Sequence, residues 1–269
     1  MQCSRWTLRL LLAGMYLICV FAAQGDAHSD RAAGDSILEI LQTPFESVDD
    51  VAARLQLLEE ILRDAGDPRA VFTSVYVVMT RRTKDHIESG FFLDEAWSRS
   101  LTVAFADNYR RALLDFERGN LNVMPGAWRI AFEVSGSEST SVFRNALLAI
   151  HAHVNHDLAL AVYEVGADPH RFHRHFDFTL VNLVLWRATD EIEDTLAEKY
   201  DPGIADIDEA FGRIDEIVAN RVLARWRSRA WDIGVLMSSI EDDRVLSFLL
   251  GWLDYDTARA AQKLAGSNP

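Results

Sequence analysis

Four glycines, Gly66, Gly90, Gly119 and Gly166, each close a long stretch whose apolar side chains recur at three- and four-residue spacing. In the first stretch Val51, Leu55, Leu58, Ile61 and Leu62 trace one stripe, the period of an α-helix that buries a single face. A glycine just past such a run is a helix stop, because it accepts the left-handed backbone that ends a helix. Ser47 and Asp94 stand where N-caps belong, and Pro68 occupies the first helical position of the second segment. No alternating strand pattern exceeds a few residues. The segment "VFTSVYVVM" is rich in β-branched residues, but its length and flanks predict a buried helix. Further on, the loop-like "NLNVMPGAWRIAFEVSGSES" holds a short amphipathic piece at residues 128–132. A long helix is expected over residues 140–165, and another from near Pro169 to about Lys199. Pro202 and Gly203 break the chain; helical periodicity returns from Ile204 through Ala230 and again over residues 245–264. The expected architecture is all-α, a single-domain multi-helix bundle over residues 28–269.

Residues 1–27 read as a signal peptide. Arg5 and Arg9 precede an uninterrupted apolar run over residues 10–23, followed by small residues at two plausible cleavage points, after Ala22 or Ala27. A span needs roughly 20 apolar residues, and this run is nearer the length of an h-region. The protein is therefore expected to be exported, to the periplasm or the outside, with no membrane span once the signal is removed. Both cysteines, Cys3 and Cys19, fall inside this segment. That excludes disulfides, cysteine-ligated zinc and thiol nucleophiles from the remainder, so a hydrophobic core must hold the fold. With 27 basic against 41 acidic side chains the net charge is −14, which argues against nucleic acid as a partner.

Six of the eight histidines lie between His151 and His175. Successive helical residues turn by about 100°. On that wheel His153 and Asp157 are neighbours at i and i+4, whereas Asn155 projects towards His151. His156 reads as a surface residue, and "HRFHRH" as a solvated first turn. Asp94 reads first as an N-cap. Asp177 and Asn182 are polar residues in the apolar "FDFTLVNLVLW" and should be paired. The tryptophans read as packing residues. No GxSxG, HExxH, CxxC pair or glycine-rich phosphate loop is present.

"AHVNHDLALAV" resembles the AHIN-x-DL signature of DUF5995, a bacterial family of unknown function. "VYVVMTRRTKDHIESGFFLDEAWSRSLTVAFADNY", "AWRIAF", "DFTLVNLVL" and "RWRSRAW" are similar to its other landmarks, so the likeness extends over about residues 45–255. It implies a shared set of polar residues: His153, Asn155 and Asp157, then Asp177 and Asn182, with Asp94 after "GFF".

These residues raise two main expectations for function. In the first, the protein is a metal-assisted hydrolase. His153, Asp157 and Asn155 are its catalytic residues, and one divalent ion is held by His153, Asp157, Asp94 and Asp177 to activate water or polarise an oxygen. In the second it binds a small molecule or lipid in a pocket between helices, without catalysis. A purely structural His/Asp network is the third possibility.

Overall fold

The computed structural model describes residues 33–137, 140–202 and 213–266, with the side chains of 213–218 excepted. The signal-peptide reading falls outside these residues, as does the start of the segment after Gly203. Among the described residues there are helices and no strands.

The chain opens with α1 (residues 33–41), followed by α2 (Val48–Asp64), α3 (Ala70–Glu88) and α4 (Glu95–Glu117). Next come α5 (Gly126–Ser135), α6 (Val142–Ala152), a π-helical turn (His153–Asp157) and α7 (Leu158–Val165). The last are α8 (Arg171–Arg187), α9 (Thr189–Lys199), α10 (Arg213–Ser238) and α11 (Asp243–Leu264). Side-chain caps start several of these helices. Ser47 Oγ accepts from the Asp50 amide, Asp94 Oδ1 from Trp97, and Ser141 Oγ from Arg144. All four glycine stops have positive φ, between 67° and 70°, a conformation that a Cβ would strain.

Three expectations are corrected. The second helix begins at Ala70, not at Pro68, because the Asp67 carboxylate folds back onto the Arg69 amide and holds residues 67–69 in a turn. The segment from Pro169 to Lys199 is two helices that meet at the fully buried Ala188, which lets both lie against α3. The helix over residues 140–165 is interrupted by the π-turn.

Two hydrophobic clusters make up most of the core. The first gathers α1, α2, α3, α5 and parts of α4 and α6 around the fully buried Trp128. The second joins α7, α10 and the first half of α4 with Phe178 and Leu253. In the second cluster α7 lies directly against α10 at Gly234, where a Cβ would stand 2.6 Å from Val162 Cβ and 2.7 Å from the Ala159 carbonyl oxygen. The π-turn lies between the two clusters and packs on α4, α10 and α11.

Candidate functional site

All five residues of the π-turn, His153, Val154, Asn155, His156 and Asp157, are buried. A π-turn adds one residue to a helical turn and shifts the register of the helix beyond it. The result brings two histidines to one carboxylate. His153 Nδ1 lies 3.0 Å from Asp157 Oδ2, and His156 Nδ1 lies 2.8 Å from Oδ1. The Trp128 indole donates to Oδ2 at 2.8 Å. Asp157 is 1% exposed. Burial pushes its carboxyl up, but the hydrogen bonds from His153 and His156 outweigh this and hold it below the usual value. An ionised carboxylate accepts from all three donors.

His153 is thereby fixed in one tautomer, with the proton on Nδ1 and the lone pair on Nε2. Burial lowers its pKa, against the opposing pull of Asp157. Aromatic rings hold the imidazole plane. Phe105 stacks on it at 3.6 Å between centroids and 8° between planes, and Tyr76 meets it edge-on at 4.6 Å. Among the described residues Nε2 has no hydrogen-bond partner.

That ring forms part of the wall of a cavity of about 230 Å³. Its lining is mostly apolar and comes from α3, α4, the residues around the π-turn, α8, α9 and α10, with Phe105, Ile150, Leu158, Leu185 and Leu223 among the contributors. The Thr80 hydroxyl belongs to the same lining and is also buried without a partner among the described residues. Burial raises the Tyr76 hydroxyl well above its usual 10, so it keeps its proton. At the α8–α10 side stands Arg227, 4% exposed.

The other expected site residues lie apart from this group. Asn155 bonds to the carbonyl oxygen and Nδ1 of His151, one turn back, at 3.2 and 3.1 Å. His151 Nε2 lies 3.0 Å from the Thr257 carbonyl oxygen, so this pair ties the π-turn to α11. Asp177 accepts the Leu93 and Asp94 amides, one on each oxygen, at 2.8 and 2.7 Å. Asp94 caps α4 with one oxygen and takes Arg174 on the other. These two aspartates brace the loop before α4 against α8. Among the described residues no group of three or more His, Cys, Asp or Glu side chains is arranged to hold a metal ion. Asp157 already accepts from three donors, two on Oδ2 and one on Oδ1.

The expectation that His156 faces solvent is corrected: the π-turn rotates it inward, to 6% exposure. His151 is equally buried, at 4%. Sequence reasoning also passed over Trp128 as a hydrogen-bond donor. It passed over Arg227, although Leu223, Arg227, Ala230 and Trp231 recur at helical spacing and place that arginine on a buried stripe.

The chain matches the profile of a family of unknown function, DUF5995, over residues 48–266. It belongs to that family. The matched region takes in every helix from α2 to α11, so the buried carboxylate, its two histidines and the cavity all lie within the DUF5995 part of the chain. No curated protein and no solved structure matches the chain.

Proposed function

We propose that this DUF5995 protein binds a small, largely apolar molecule in the cavity beneath His153, with His153 Nε2 as its main polar contact. The observation that carries the reading is an unpartnered nitrogen in an apolar lining. A buried polar atom normally finds a partner, and this one is held in its acceptor form by a carboxylate on the far side of its own ring. A dry engineered cavity of about 150 Å³ takes benzene. By proportion, 230 Å³ suits a ligand of about nine heavy atoms. The amino-terminal pattern supports an exported setting, where such a protein would meet its ligand outside the cytoplasm.

The same pair favours a second reading, catalysis. An imidazole whose Nδ1 is bound to a buried carboxylate and whose Nε2 is open has the arrangement of a general base. A hydrolase of this kind would use His153 to take a proton from water or a hydroxyl, with Asp157 stabilising the imidazolium. A metal-assisted version would engage Nε2, the ring nitrogen that Asp157 does not hold.

Heptanol, with a hydroxyl to donate and a short apolar chain, tests the binding reading by calorimetric titration. Saturable binding is expected in the wild type and its loss in Leu185→Trp, which fills the cavity from α8. The proposal fails if the wild type takes up no heptanol, or if the tryptophan leaves binding unchanged.

A further inference from the structure

Arg227 is a buried cation in the same cavity wall, and its environment is unusual for a guanidinium. Buried charges are normally paired. Among the described residues no aspartate or glutamate lies within ion-pair distance of Arg227; its hydrogen bonds go from Nε to Asn182 Oδ1 and from Nη2 to the Phe178 carbonyl oxygen, both at 2.8 Å. Glu193, the acidic side chain among the described lining residues, has an interaction of its own. The guanidinium carbon sits 4.5 Å from the centre of the Phe178 ring, which helps a desolvated cation without neutralising it. The Nη1 amino group is left with no protein acceptor among the described residues. Burial pulls the group down to about 9, so it is charged at neutral pH.

From this geometry we infer that the cavity accepts a monoanionic amphiphile, a carboxylate on a short hydrocarbon chain, with Arg227 as the counter-ion of the head group. The inference rests on the cavity being a binding site, as proposed above, but adds the charge of the occupant and makes Arg227, in place of His153 Nε2, its main polar contact. A planar guanidinium with free N–H groups offers the fork that a carboxylate matches. Asn182 and the Phe178 carbonyl hold that fork in place from α8, so little side-chain freedom is lost when a ligand arrives. One positive charge calls for one negative charge. A phosphate dianion would bring a second charge that no other lysine or arginine among the described lining residues meets. The apolar remainder of the ligand would lie along Leu223, Leu185 and Ile150, towards the Phe105–His153 stack.

The experiment compares heptanoate with heptanol, equal in chain length and different in charge, at neutral pH. For the wild type, calorimetric titration should give heptanoate an affinity about tenfold or more above heptanol, the scale of a charge-assisted hydrogen bond. In Arg227→Gln the ratio of the two affinities should fall to about one or below, with circular dichroism and a thermal melt confirming the fold. In Arg227→Lys, which keeps the charge and loses the fork, it should lie between. The wild-type comparison needs no variant, so it decides the matter even if Arg227→Gln does not fold. Equal wild-type affinities, or a preference that survives in Arg227→Gln, overturn the inference while heptanol binding keeps the cavity reading intact. Binding of neither ligand overturns both. A wild-type preference that also survives Leu185→Trp places the anion outside the cavity and overturns the inference as well.

Discussion

Three N–H donors converge on Asp157, and the buried imidazoles around it govern how the fold responds to acid. Burial lowers the pKa of His151 and His153 below their usual 6.5, more than the Thr257 carbonyl and the Asp157 carboxylate raise it. As the pH falls through 6.5, an unfolded chain protonates these imidazoles while the folded chain does not. The unfolded state then binds more protons, so stability declines on the acid side of 6.5, by up to about 1.4 kcal/mol per pH unit for each group. The Asp157 contribution is held above the usual 3.8 and disappears only at lower pH, because its folded pKa is depressed. The expected outcome is a melting temperature that is level from pH 8 to 7 and falls from pH 7 to 5, at constant ionic strength. A melting temperature that stays flat or rises between pH 7 and 5 contradicts the assignment of neutral buried imidazoles. The His153–Asp157 contact was legible in the sequence because it needs only a spacing of four. The second histidine was not, since a regular wheel turns His156 to the outside and nothing in "HVNHD" announces the extra residue in the turn.

Most helix boundaries that a local signal sets were legible. Ser47, Asp94 and the glycine stops act through their own backbone neighbours, and the structure uses each as the spacing predicts. The start of α3 was missed for a local reason, the Asp67 carboxylate on the Arg69 amide, but other positions missed depend on distant partners. Ala188 divides α8 from α9 because both must reach α3, and no residue near Ala188 encodes α3. Gly234 shows the same dependence at a helix crossing. It lies inside α10, where glycine is a poor choice by propensity, and its reason is the approach of α7, whose Val162 and Ala159 occupy the space a methyl would need. At Gly251, within α11, a Cβ would meet nothing within 4 Å among the described residues. The two glycines should therefore respond oppositely to the same substitution. Gly234→Ala is expected to cost about 1–3 kcal/mol through overpacking. Gly251→Ala should add about 0.4–1 kcal/mol by limiting the unfolded chain. Chemical denaturation of both variants checks the pair, and equal effects would mean that α7 and α10 do not approach as described.

The cavity belongs to the whole molecule, since its wall is assembled from helices far apart in the chain, and one buried carboxylate outside the cavity helps to hold that wall. Glu59 of α2 is 1% exposed and accepts Ser74 Oγ of α3 at 2.7 Å, Lys199 Nζ at the end of α9 at 2.9 Å, and the Tyr200 hydroxyl at 3.3 Å. Burial pushes its carboxyl up, but Lys199 and Ser74 keep the group ionised. Among the described residues Leu196 is the buried residue of α9, joined by the contacts of Arg81 and Arg82 with Glu191 on the surface. Its first turn supplies Thr189, Ile192 and Glu193 to the cavity. Loss of the Glu59 charge should free the far end of α9 and with it that part of the wall. Glu59→Gln is thus expected to cost about 1–3 kcal/mol in stability, since it leaves buried donors poorly matched. It should also weaken heptanol binding, although Glu59 does not line the cavity. The two effects are read together, from denaturation and calorimetry on one preparation at a temperature well below the melt. Lower stability with undiminished affinity would show that the ligand does not depend on α9, and would confine the site to α3, α4, the π-turn, α8 and α10.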